Sequence, residues 1–103
     1  MVVKQLLKHI DRAISRIRLP FRGEINIVNS STGIMLVQVS GLSGETLQAM
    51  EYFQHFGFTS VPPAGSECVV MPIGGKTAQS VVVGSENPAL RIKGLVSGEV
   101  AIG

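Results

Sequence analysis

The chain has 103 residues, 45% of them hydrophobic and only 16% charged, with a net charge of +2 and a mean hydropathy of +0.35. This length suits one domain with a modest core, and so few charges give less polar cover than a freestanding soluble domain carries. No run of 18 or more apolar residues exists, which argues against a spanning helix and for burial against partner chains.

The charge is divided along the chain. Residues 1–22 hold six lysines and arginines against Asp11, a local +5, whereas residues 23–103 hold three against six glutamates, a local −3. A basic arm joined to a mildly acidic body is electrostatically a two-part object. The opening Met1–Lys8 stretch lacks the unbroken apolar core and small-residue cleavage site of a signal peptide.

The first predicted element is a helix over residues 3–18. Leu6, Leu7, Ile10, Ala13, Ile14 and Ile17 make one apolar stripe at the helical period, with Lys4, Lys8, Asp11, Arg12, Ser15 and Arg16 off it. Pro20 sets the stop, because the residue before a proline avoids helical backbone, and Arg16 and Arg18 suit the negative end of the helix dipole. Four roles fit such a helix. It can dock on a partner protein, pack on its own domain, lie on a membrane surface or bind nucleic acid.

After Pro20 the pattern becomes strand-like. Arg22–Asn29 and Gly33–Ser40, rich in Ile and Val and parted by Ser30-Ser31-Thr32, read as a hairpin. Gly41–Gly44 is a turn. Glu45–His55 fits a strand or a short helix, because Leu47, Met50 and Phe53 recur every third residue. Ser66–Ile73 and Thr77–Gly84 form a second hairpin around Gly74-Gly75-Lys76. A turn at Asn87-Pro88, a short strand at Ala89–Lys93 and the start of another at Gly98–Gly103 complete the chain. Four or five short strands in a chain of this size predict a small OB-like five-stranded barrel.

Between the hairpins lies Phe56-Gly57-Phe58-Thr59-Ser60-Val61-Pro62-Pro63-Ala64-Gly65-Ser66-Glu67. Pro62 and Pro63 cannot donate to a ladder, and Gly57 and Gly65 permit positive φ. The segment reads as an ordered loop entering a strand, with Gly57 or Gly65 expected in space that no side chain can enter. Tyr52, Phe53, Phe56 and Phe58 are expected to serve core and subunit packing. The run resembles one in the baseplate spike proteins of Mu-like contractile-tailed phages, the baseplate assembly protein V family, which carry Tyr-Gly-Phe-Thr-Ser-x-Pro-x-x-Gly-x-Glu. Here Phe56 replaces the tyrosine, and Tyr52 stands four residues earlier. The likeness extends over residues 20–103, through Cys68 and its valines, Gly74-Gly75, Ser80–Val83 and Gly98-Glu99-Val100-Ala101.

The resemblance implies a virion structural protein with an OB-like barrel. Three copies would form a plug under the tail tube and baseplate hub that pierces the host envelope when the sheath contracts. Residues 1–19 would be a docking arm using Leu6, Leu7, Ile10, Ile14 and Ile17, residues 20–97 the barrel, and residues 98–103 the start of a three-chain β-helical needle. The family's histidine-built metal tip has no counterpart in this sequence. Assembly in the host cytoplasm agrees with the single cysteine, Cys68, which leaves no intrachain disulfide.

Catalytic and cofactor chemistry finds no support in the residues. Gly75-Lys76-Thr77 ends like a phosphate loop, but position 70 is valine. His9, His55 and Cys68 are too few and too scattered for a zinc site. Asp11 is the only aspartate, and no nucleophile elbow exists. The six glutamates lie on six segments. The sequence therefore predicts no catalytic residue, cofactor, metal or small-molecule substrate. The competing class is an OB-fold module that stacks single-stranded nucleic acid on its aromatics. No lysine or arginine lies between Arg22 and Lys76 to hold phosphates.

Overall fold

The computed structural model describes residues 2–15 and 17–103, with side chains for all of them except 11–15. The side chain of Ile14, one of the expected docking positions, lies outside the described residues. The chain runs through helix α1 (Val2–Ser15) and strands β1 (Phe21–Asn29), β2 (Met35–Ser40), β3 (Thr46–Tyr52), β4 (Glu67–Ile73) and β5 (Lys76–Glu86). A single 3-10 turn, Leu42–Gly44, links β2 to β3.

The five strands close a barrel in the order β1-β2-β3-β5-β4, with β4 returning to β1. This is the predicted OB-like mainly-β architecture. All contacts are antiparallel except β3 with β5, a narrow parallel seam held at Glu51↔Val81 and Tyr52↔Val82. Alternation along β2 sends Met35, Val37 and Val39 inward, and alternation along β4 sends Cys68, Val70 and Pro72 inward. The β1–β4 ladder ends at Phe21↔Val70, so Pro72 has a strand neighbour on one side only, opposite Ser80 of β5, an edge position that a proline tolerates. The core is Ile25, Met35, Val37, Val39, Met50, Tyr52, Cys68, Val70 and Val82.

Two bulges decide which side chains reach that core. In β1 the register slips between Ile25 and Ile27, so Ile25 is fully buried while Ile27 is exposed and Val28 packs against the core. In β3 the slip falls at Ala49, whose φ of 52° is left-handed. This bulge explains the spacing of three between Leu47 and Met50. The segment that fitted strand or helix is a strand with one extra residue.

Residues 17 and 18, expected in the helix, are not helical. The Arg18 amide donates to the Gly75 carbonyl at 2.9 Å, and its guanidinium bonds Glu45, which draws residue 18 out of helical geometry. The predicted strand at Ala89–Lys93 is instead a turn. Leu90 and Arg91 amides both donate to the Asn87 carbonyl, and the Asn87 side chain accepts from Ala89. Gly98–Gly103 forms no strand in one chain, where it has no neighbour to ladder with. Helix and tail stretch the molecule to 61 × 35 × 27 Å.

Candidate functional site

Among the described residues no three histidines, cysteines or acids gather as metal ligands. The surfaces with unsatisfied physics are apolar, and they lie on the arm, on one loop and on the tail.

The arm shows the described part of its stripe to solvent. Leu6, Leu7, Ile10 and Ile17 are all exposed, as are Val2 and Val3. Among the described residues the helix shares no substantial contact with any strand.

A built joint connects arm to barrel. Arg18 Nη1 donates to Glu45 Oε2 at 3.0 Å and to Thr77 Oγ1 at 3.3 Å, and Nη2 bonds the other Glu45 oxygen. The guanidinium also lies 3.9 Å from the Phe21 ring centroid. A forked pair of this kind specifies orientation. The Arg18 hydrogen bond, with a smaller Coulomb contribution, holds the Glu45 carboxyl below its ordinary range. A carboxylate depressed on folding contributes stability above its unfolded pKa and loses it as pH falls through the folded value. The joint should therefore be whole at neutral pH and loosen in acid below the usual carboxylate range. Arg18→Ala should speed proteolysis at residues 16–20 at neutral pH while leaving barrel cleavage unchanged. An unchanged digestion pattern would remove Arg18 from this role.

The aromatic loop is pinned at its base and bare at its tip. Gln54 Nε2 donates to the Ser60 carbonyl at 3.0 Å, and the Ser60 amide returns to Gln54 Oε1 at 3.0 Å. Inside this clasp the Phe58 amide donates to the His55 carbonyl at 3.0 Å, with Gly57 at φ 86° in the third turn position. Phe56, at the tip, is completely exposed, and Phe53, Phe58 and Thr59 are exposed as well. Of the four aromatics expected in packing, only Tyr52 is in the core, where its hydroxyl meets Ser85 Oγ at 2.6 Å. A groove of about 460 Å³ runs beside the loop, between Tyr52, His55, Phe58 and Val83.

Pro62 is half-buried, and a second turn follows, with Ser66 N–H donating to Pro63 O at 3.1 Å and Gly65 at φ 91°. Gly65 and Ser66 lock onto Ile25 of β1 through two backbone bonds of 2.8 Å. Neither Gly57 nor Gly65 is crowded. A Cβ would meet nothing within 4 Å at Gly57 and only Glu24 Oε1 at 3.9 Å at Gly65. These glycines serve backbone angle, not space, contrary to expectation.

Glu67 opens β4 opposite two like charges. The register sets Glu24 against Glu67 and Glu67 against Glu86, all three exposed. The glutamates that lie on separate segments in sequence are thus partly gathered by the sheet, and only strand pairing could reveal it. Facing like charges destabilise a sheet. Glu67→Gln should raise barrel stability by about 0.2–1 kcal/mol, more at low salt. Equal melting temperatures at low ionic strength would show that the three carboxylates do not interact.

In the tail, Glu99 N–H donates to Val96 O at 3.0 Å and the Val96 amide to Glu99 Oε1 at 2.7 Å, with Gly98 at φ 89°. Around this closed turn Leu90, Ile92, Leu95, Val96, Val100 and Ile102 are all exposed. Cys68 is inert by comparison, since burial pushes its thiol up, with a backbone hydrogen bond to Gly23 opposing.

The family model described as Bacteriophage Mu Gp45, N-terminal, matches residues 22–89, which contain the whole barrel except Phe21. The chain is 32% identical over 97 residues to the Mu-like prophage FluMu protein gp45 of Haemophilus influenzae, covering 85% of this chain and 53% of that protein. It is 30% identical over 88 residues to the baseplate puncturing device gp45 of Escherichia phage Mu, covering 84% of this chain and 45% of that one. The chain thus spans about half the length of the curated relatives it matches. No solved structure matches.

Proposed function

Because the chain belongs to the Bacteriophage Mu Gp45 N-terminal family, we propose that it is a baseplate spike component of a contractile phage tail, working as a three-chain plug that is driven through the host envelope. In this reading residues 1–19 attach the spike to the hub and tube above it, through the stripe that includes Leu6, Leu7, Ile10, Ile14 and Ile17. Residues 20–97 are the barrel, and 98–103 begin a needle of intertwined strands. The work is mechanical and uses no catalytic residue or cofactor. The motif residues Phe56, Gly57, Phe58, Thr59, Ser60, Pro62, Gly65 and Glu67 shape a loop on the barrel's flank. Gly98 and Glu99 turn the chain into the needle.

The tail is the observation that carries this reading. Val100 and Ile102 alternate at strand spacing, fully outside any fold of their own chain. Two further copies around a three-fold axis would supply the ladder partners and the apolar cover together. Sedimentation of the full chain should show three-chain particles. Electron microscopy of tailed particles carrying a tagged chain should place the tag on the tail axis at the baseplate. Single chains at micromolar concentration, with the tag on head or sheath, would defeat the proposal.

Exposed Phe53, Phe56 and Phe58 on an OB-like barrel favour a second reading, a single-strand binding module. It requires cations beside the rings, and none lies between Arg22 and Lys76 in the sequence. Titration with a single-stranded oligonucleotide at moderate salt separates the two.

A further inference from the structure

The occupant of the α1 stripe can be read from its spacing. Val3, Leu7, Ile10 and Ile14 stand four, three and four residues apart within one helix. That alternation is the a/d pattern of a coiled coil, with Leu7 and Ile14 at a and Val3 and Ile10 at d. Leu6 and Ala13 then fall at g and widen the seam. The positions that flank a seam decide whether copies of one helix tolerate each other. Here the g positions carry no charge, and the e positions are Lys4 and Asp11. The other cations, Lys8, Arg12 and Arg16, fall at b, f and c, away from a partner helix. A helix from the +5 arm can thus meet its own copies without setting cation against cation.

We infer that the α1 helices of three copies of this chain wind into a short parallel coiled coil above the barrels, which rests on the three-chain reading proposed above. The barrel does not compete for the seam, since Val3, Leu7 and Ile10 are 66, 53 and 45% exposed. Leucine or isoleucine at a with β-branched residues at d disfavours the two-stranded form and shifts preference to three or four strands. Cyclic symmetry makes the helices parallel. Two heptads are too short to associate alone, and the joined barrels supply the missing concentration, on the order of millimolar for sites linked this closely. The Arg18–Glu45 joint aims each helix from its barrel. The stripe would then serve attachment indirectly, by holding three arms together as one post that presents a collar of lysine and arginine to the hub.

The test uses the full chain with one cysteine added, at Ile10→Cys in the seam or at Lys8→Cys outside it. Native Cys68 is buried, and the unsubstituted chain measures its background. A short bifunctional thiol cross-linker at micromolar protein, with sedimentation of the same samples, should give three-chain particles in both variants and joined chains for Ile10→Cys alone. Three-chain particles with no joining at residue 10 would overturn the coil and leave the spike reading standing. Single chains with no joining would end both. Equal joining at residues 8 and 10 would mean random helix encounters and would also overturn the coil.

Discussion

Gly23→Val should cost the barrel more stability than a substitution at either glycine of the aromatic loop. A Cβ on Gly23 would lie 2.4 Å from Val39 Cγ1, 3.0 Å from the Ser40 carbonyl and 3.6 Å from Cys68 Sγ. Val39 and Cys68 are both buried. Neither can swing into solvent, and Ser40 is held in the β1–β2 ladder opposite Glu24. Valine would have to push β2 from β1 at the point where β1 also pairs Cys68 of β4. Overpacking of this kind costs about 1–3 kcal/mol and sometimes more. In a domain whose total stability is about 5–15 kcal/mol, that is a loss of about 4–8 °C in melting temperature per kcal/mol. Gly57→Ala is the internal comparison, since open space there leaves only the left-handed backbone penalty of about 1–2 kcal/mol. Thermal melts of the two variants should rank Gly23→Val below Gly57→Ala. The reverse order would mean that β1 and β2 separate without strain.

Ile10→Asp combined with Ile14→Asp should leave a folded barrel that is no longer incorporated into particles. The described residues of α1 contribute nothing to the barrel's core, so barrel stability should stay within about 0.5 kcal/mol of the parent's, as for surface changes. Assembly should suffer heavily. Each large aliphatic contributes roughly 1.5–3 kcal/mol when buried, and an unpaired carboxylate placed in the same apolar site adds a desolvation penalty of several kcal/mol. Particle yield and the spike content of purified tails measure the outcome. Infectious particles at normal yield would remove the arm from assembly. Unfolding of the barrel would instead make the helix part of the fold.

Much of the barrel is legible in the sequence because its information is local. The runs around Ile25, Val37, Val70 and Val82 alternate or cluster as strands do, and Gly74-Gly75 marks the second hairpin within a residue. The loop from Phe56 to Gly65 is legible for the same reason, since two prolines and two glycines allow little else. Less was legible of what each residue does there. The glycine that lacks space is Gly23, and its crowding comes from β2 and β4, whose contacts appear only once the sheet is paired. The row Glu24, Glu67 and Glu86 and the clasp of Arg18 on Glu45 and Thr77 join residues 19 to 59 apart in sequence, beyond any periodicity.

What the sequence determined by itself is the division of the molecule into a basic amphipathic arm and a β-rich body closed by short turns. Composition and period are set residue by residue and survive any packing. What only the tertiary structure decided is which apolar residues are spent inside and which remain outside. Bulges at Ile25–Ile27 and Ala49 shift the phase of β1 and β3. The closed barrel has room for one side chain from every second position. Once Tyr52 and Val82 complete the core, the phenylalanines of the loop, Leu6, Leu7 and Ile10 of α1 and the valines of the tail have no interior left to occupy.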